Sequence, residues 1–395
     1  MSRFVYADNA ATTPVSPEVI EAMTPIFAES WGNPSSLHEK GREAKEILDD
    51  ARERIAACLK CSAGEIYFTS CGTEADNWAI KGACIRLRAK GRTHIVTSKI
   101  EHPAVLRTCE ALEKEGFTVT YLDVDADGIV SLDEAREAIT DNTAIVAVMY
   151  ANNEIGTIQP IEELCELAHA KGALMFTDAV QAVGAVEIDL SRLPVDMLAL
   201  SGHKLHAPKG IGALFVRRGV VIGNLIDGGG QEKRKRGGTE NLPYIVGLAR
   251  AIELATEALP EQTRVAALRD RLIEGLSEVP YSKLNGHRTK RLPGNVNIGF
   301  EFIEGESLLL WLDIAGICAS TGSACSSMSL EPSHVLIATG VPHEKAHGSL
   351  RLSLSKDNND EDVDYILENV PKIVEKLRNM SPLWEEIAKS EKKDK

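Results

Sequence analysis

Between Glu65 and Val216, short apolar runs of strand length alternate with helix-length amphipathic segments. That alternation is the pattern of a parallel sheet with helices on both faces, because a parallel strand needs a long crossover connection and is buried on both sides. The expected strands are Ile66–Thr69, Ile95–Ser98, Val119–Leu122, Ile145–Met149, Leu174–Thr177, Met197–Leu200 and Ala213–Val216. Helices fill the intervals, as from Ile161 to Lys171, with Pro160 before the start and Gly172 after the end. Glycine at 228–230 and again at 237 and 238 marks a loop. From about Glu257 the texture changes to a helix, short strands over Gly294–Phe300 and Ser349–Leu354, and a terminal helix. This reads as a smaller α+β domain, which the N-terminal segment is expected to join. The charged end from Lys389 to Lys395 is expected to fray.

With 395 residues and 44% hydrophobic content, the chain can bury a sizeable core and more than one domain. No window approaches the roughly 18 apolar residues of a membrane span, and Met1-Ser2-Arg3 lacks the apolar core of a signal peptide, so a cytoplasmic location is expected. A net charge of -14 disfavours binding to nucleic acid or anionic lipid; the basic run Lys233 to Arg236 is the local exception. Eight cysteines are too sparse for a disulfide scaffold, and Cys58 and Cys61, a lone C-x-x-C in a helical run, read as structural.

Residues suited to chemistry stand at the carboxyl ends of the expected strands, where open α/β sheets bind ligands. Ser201-Gly202-His203-Lys204 follows Met197–Leu200, and an amine held there beside a hydroxyl and an imidazole can form a Schiff base. That arrangement points to pyridoxal phosphate. Its pyridine nitrogen stays protonated beside a buried carboxylate, which Asp178 supplies. Gln181, three residues on, is expected to share a helical face with Asp178 and to reach the phenolic oxygen. A phosphate needs backbone N–H groups and hydroxyls at a helix start, and the strand-turn-helix junction Phe68 to Glu74, with Gly72 and Thr73, provides them. His102 is placed to stack on the ring, and Asn153 follows another strand. An amino-acid carboxylate calls for an arginine, a need that Arg351 fits, although an arginine within a strand is ordinarily exposed. Cys325 stands in a small, polar run, Ser320 to Ser327, suited to an accessible thiol.

Two full motif matches are rejected on context. Asp123 to Gly128 with Glu134 matches a calcium loop, but Phe117 to Leu122 reads as a strand where an EF-hand needs a helix. His343-Glu344-Lys345-Ala346-His347 matches H-E-x-x-H, yet Pro342 and Gly348 confine it to about one helical turn.

The series Tyr6 to Thr13, Gly32 to Ser36, Glu101-His102-Pro103, Asn152 to Gly156, Asp178 to Gln181, Ser201 to Lys204, Gly238 to Asn241 and the run around Cys325 strongly resembles the NifS/IscS-type cysteine desulfurases, class V members of the fold-type I pyridoxal phosphate enzymes. The resemblance implies an α/β, PLP-dependent transferase-like fold: a mainly parallel central sheet with helices on both faces, plus a smaller α+β domain. It implies a large cofactor domain over 15–257, a small domain from 1–14 and 258–395, and a mobile catalytic-cysteine loop around 320–332. Lys204 would hold the cofactor, Asp178 the pyridine nitrogen, His102 the ring face and Gln181 the phenolic oxygen. Gly72, Thr73, Ser201 and His203 would hold the phosphate, joined by Thr239 from the other subunit of a homodimer. Asn153 and Arg351 would grip the carboxylate of L-cysteine, and Cys325 would carry the sulfur as a persulfide to an iron–sulfur scaffold or another acceptor. No resident metal is implied, only transient iron–sulfur ligation by Cys325. One departure is Ala207, where the family usually has glycine; it is expected to perturb the local backbone rather than the chemistry. The rival readings are selenocysteine lyase or another class V activity, and a sulfur-relay protein with vestigial catalysis.

Overall fold

The computed structural model describes residues 3–322, 332–381 and Trp384. Cys325 and the charged end from Lys389 to Lys395 lie outside the described residues.

Seven strands form the main sheet in the order Ile66–Thr69, Gly212–Val216, Met197–Ser201, Leu174–Asp178, Thr143–Ala147, His94–Ser98, Thr118–Leu122. Every expected strand is present to within a few residues. The sequence pattern alone suggests parallel pairing throughout, yet Gly212–Val216 runs antiparallel to both neighbours. The connection across 202–211 holds only a short turn, Gly202–Lys204, whereas a parallel crossover needs roughly a dozen residues or more. Side chains alternate between the faces. Ile145, Ala147, Met197, Ala199 and Leu214 meet Trp78 and Ala79 of the helix Gly72–Arg88 on one side. Val146, Leu198, Leu200, Ala213 and Phe215 join the core on the other, with the helices Glu39–Cys58, Ile161–Ala170 and Leu242–Glu257. Burial on both faces explains why these strands read as continuous apolar runs rather than alternating ones.

A separate apolar cluster gathers Val5 and Ala7 with residues from Val265 to Leu377. Here Asn295–Phe300 pairs antiparallel with Ser349–Ser353 and Ser282–Leu284, packed against the helices Gln262–Ser277 and Asp360–Asn379. The parallel pair Val5–Tyr6 with Ile317–Cys318 stitches the chain's start to this unit. Among the described residues, no helix is long and apolar enough to cross a membrane.

The calcium-like run follows the strand Thr118–Leu122, and its groups serve the local backbone: Asp125 accepts from the N–H groups of Asp127 and Ile129, and Glu134 from that of Asp123. The H-E-x-x-H run contains a single helical turn, His343–Ala346. Burial raises the Cys61 thiol to about 12, which leaves it protonated and unreactive at neutral pH.

Candidate active site

Four adjacent sheet strands, His94–Ser98, Thr143–Ala147, Leu174–Asp178 and Met197–Ser201, run in the same direction. Two antiparallel steps bring Ile66–Thr69 into that direction as well. His102, Asn153, Asp178, Lys204 and the Gly72–Thr73 junction therefore leave the sheet at one edge.

Lys204 closes the turn Gly202–Lys204, and its Nζ donates to the carbonyls of Ala10 and Ala11 at 2.5 and 2.7 Å. Those acceptors are main-chain atoms of the N-terminal segment, which is pinned beside the lysine where Thr13 N–H donates to His203 O at 3.0 Å. No side-chain pattern could have announced them. His203 bonds Thr12 Oγ1 at 3.2 Å, and burial with the nearby charge of Lys204 lowers its imidazole to about 4, so the ring is neutral. Asp178 is buried, and its Oδ1 accepts from Val180 N–H at 2.9 Å. Burial raises its carboxyl, against the pull of His102 and Lys204. His102 is held below the ordinary imidazole range chiefly by burial, and its Nδ1 accepts from Ala104 N–H at 3.1 Å, capping Pro103–Lys114. Capping leaves its Nε2 available for chemistry.

The expected helical face linking Asp178 and Gln181 does not form. A turn follows the strand, with Ala182 and Val183 N–H both donating to Ala179 O, and the chain then reverses at Gly184 with φ +78°. Gln181 nevertheless reaches this region, donating to Ala10 O at 3.0 Å.

Gly72 is needed where it stands: an added Cβ would lie 2.8 Å from Val180 Cγ2 and 3.3 Å from Ser201 Cβ. Its helix carries Thr73 exposed in the first turn, while Ser201, which Gly72 faces, is buried. Arg351 is not an exposed strand residue but is 2% exposed, because it lies between Asn295–Phe300 and the N-terminal segment. It donates to Asp8 Oδ1 at 3.0 Å and Asn153 O at 3.2 Å, while its Nε is buried without a partner among the described residues. Thr239 is exposed on the segment that Arg236 ties to Glu74. Ala207 is accommodated without left-handed backbone, which His206 adopts instead at φ 60°.

Asp76 was not anticipated. It is buried, its Oδ1 has no partner among the described residues, and oxygen atoms of Asp76 and Asp178 and a ring nitrogen of His102 all lie within 4.8 Å of one another. The legible signal was a charged residue on the helix face otherwise made by Gly72, Ala75, Ala79 and Ala83. Burial and the nearby Asp178 push its carboxyl well above the ordinary carboxylate range.

This donor set fits pyridoxal phosphate. A lysine amine, a buried carboxylate flanked by an orphaned acid oxygen, a neutral imidazole and a glycine-lined helix start are what a pyridinium, an aromatic ring and a phosphate require.

Comparison with known proteins agrees with that geometry. The aminotransferase class-V family matches over residues 5–366. A curated relative from Methanosarcina thermophila, named "Cysteine desulfurase IscS", is 59% identical, with 97% of this chain and 95% of that protein covered. A solved structure titled "NIFS-LIKE PROTEIN" superposes with a TM-score of 0.89 at 40% identity, covering 95% of this chain and all of that one. Another, "SspA in complex with cysteine", superposes with a TM-score of 0.79 at 38% identity, covering 89% and 98%. With a lysine, a buried acid and a helix start meeting at one sheet edge, and the family model matching over residues 5–366, the chain belongs to the class-V aminotransferases.

Proposed function

We propose that this protein is a pyridoxal phosphate-dependent cysteine desulfurase that converts L-cysteine to L-alanine and passes the sulfur through Cys325. The observation that carries the reading is the meeting of Lys204, Asp178 and His102 at one sheet edge, with a buried arginine, Arg351, whose Nε lacks a partner among the described residues.

Pyridoxal phosphate, when bound, supplies an electron sink for the negative charge that develops at the substrate Cα. Lys204 would hold the cofactor through Nζ, and the same amine would take the proton from the substrate Cα. The carbonyls of Ala10 and Ala11 orient that amine. Asp178 would keep a proton on the pyridine nitrogen, beside Asp76, whose carboxyl is pushed up by burial and by Asp178. His102 would lie against the cofactor ring and move protons through Nε2, and Gln181 would serve the phenolic oxygen. Gly72, Thr73, Ser201 and His203 hold the phosphate, with Thr239 of the second subunit. Arg351 and Asn153 bind the substrate carboxylate. The Cys325 thiolate attacks the substrate sulfur, the Cβ–S bond breaks, and Cys325 is left as a persulfide; protons returned to Cβ and Cα complete alanine.

A large domain over 15–257 and a small one from 1–14 and 258–395 suit this division of labour, in a homodimer. The acceptor we infer is an iron–sulfur scaffold or a similar sulfur acceptor. Every cysteine among the described residues is free, which suits the reducing cytoplasm. Selenocysteine lyase is the alternative, and alanine formation from equal concentrations of cysteine and selenocysteine separates the two. Borohydride is expected to fix the cofactor to Lys204 and to fix none in Lys204→Ala; trapping at the wild-type level in that variant would refute the assignment of the lysine.

A further inference from the structure

The segment bearing Cys325 leaves the described residues at Gly322 and returns at Pro332. Both ends meet one side chain, Glu154, which is 4% exposed. At the returning end Ser333 Oγ donates to Glu154 Oε2 at 2.5 Å, while the same hydroxyl accepts from Val335 and Leu336 N–H at 3.2 and 3.3 Å, capping His334–Ala338. At the leaving end Gly322 packs so closely on Glu154 Oε2 that an added Cβ would collide with it.

Glu154 is itself a fixed post. Its N–H donates to Asn152 Oδ1 at 2.8 Å, and its carbonyl accepts from Asn295 and Asn297 Nδ2 at 3.2 and 3.1 Å. The fastening continues into the site on both sides. Arg351 Nη1 donates to Gly322 O at 3.4 Å as well as to Asn153 O, and His334 Nε2 donates to the carbonyl of Glu101, the residue before His102. Burial raises the Glu154 carboxyl, against the pull of Ser333, His334 and Arg351, which suits a group that works by hydrogen bonding and contact rather than by charge.

We infer that Glu154 is a positioning residue that holds the two ends of the Cys325 segment together and registers them against the groups that bind the substrate carboxylate. The inference rests on the reading of Cys325 as the sulfur carrier. A thiol that must meet substrate sulfur depends on where its chain begins and ends, and a misplacement of about 1 Å at a reacting atom costs on the order of a hundredfold in rate.

The test compares Glu154→Ala, Glu154→Gln and Ser333→Ala as holoenzymes. All three are expected to keep the cofactor absorption band and its change on adding L-cysteine. Single-turnover alanine formation is expected to fall by about tenfold or more in Glu154→Ala and by several-fold in Ser333→Ala. Glu154→Gln is expected to recover to within about threefold of wild type, because its amide oxygen still accepts from Ser333. Cleavage after Glu331 by a glutamate-specific protease, read by mass spectrometry, is expected to be several-fold faster in the two alanine variants and unchanged in Glu154→Gln. Should Glu154→Ala fail to fold, Ser333→Ala and Glu154→Gln still decide the matter. Wild-type turnover or wild-type cleavage in Ser333→Ala and Glu154→Ala would overturn the inference, as would loss of the cysteine-induced spectral change in both. Wild-type enzyme that forms no alanine would instead refute the desulfurase reading, and the cleavage rates would still report on the clamp.

Discussion

The residues of this site work through neutrality as much as through charge. Glu101 lies buried beneath His102, accepting from Ser98 Oγ and from Met149 N–H, and burial raises its carboxyl to about 8 from an ordinary 4.5. The folded protein therefore holds a proton that the unfolded chain has already released, so stability declines as pH rises between those two values, by at most about 1.4 kcal/mol per pH unit. Glu101→Gln removes that dependence. Thermal unfolding of the pair from about pH 5 to pH 8 is expected to move the difference steadily in the variant's favour, and a parallel offset across the range would show that Glu101 is charged. Arg351 makes the second residue-scale case. Lysine keeps the charge but loses the planar fork, so Arg351→Lys is expected to raise KM for cysteine by about ten- to a hundredfold with a smaller effect on kcat. Steady-state kinetics with an unchanged KM would remove Arg351 from the carboxylate site.

At the scale of elements, the apolar runs were legible because the strands are buried on both faces, and the pairing of Asn295–Phe300 with Ser349–Ser353 lay in runs that also read as strands. The antiparallel course of Gly212–Val216 was hidden in the shortness of the 202–211 connection, and the two-residue strand Val5–Tyr6 exists only through its distant partner. Site residues were legible where a side chain follows a strand end, as with His102, Asp178 and Lys204. They were not where the group is a main-chain carbonyl, as at Ala10 and Ala11, or where a helix interior hides an acid, as at Asp76. Arg351 looked exposed by residue type, yet the N-terminal segment covers it. The junction at Gly72 offers an element-scale test. A methyl there must displace the stiff side chain of Val180 and crowd Ser201, so Gly72→Ala is expected to weaken pyridoxal phosphate binding by about tenfold, the equivalent of about 1.4 kcal/mol. Equal affinities by equilibrium titration would show that the phosphate is held elsewhere.

Over the whole molecule, the basic run is less available to a partner than its sequence suggests. Lys233 donates to Gly64 O and lies 4.9 Å from the Tyr67 ring centroid, and Arg236 pairs with Glu74. Glu232, Lys233 and Arg234 all take left-handed backbone, and Glu232 is buried against Arg52. This anchoring presents Thr239 outward. If Thr239 completes the site of a second subunit, Lys204→Ala and Thr239→Ala subunits mixed into hybrids rebuild one wild-type site. The isolated hybrid is then expected to recover about half the activity of wild type, as one of two sites is restored; no recovery in a confirmed hybrid would place Thr239 in its own subunit's site. The central claim, that a thiol of this chain takes the substrate's sulfur, is tested most directly by alanine formation from L-cysteine in Cys325→Ser. The variant is expected to keep the cofactor band and to form no alanine, whereas wild type releases alanine and sulfur in equal amounts; alanine from Cys325→Ser at the wild-type rate would contradict it.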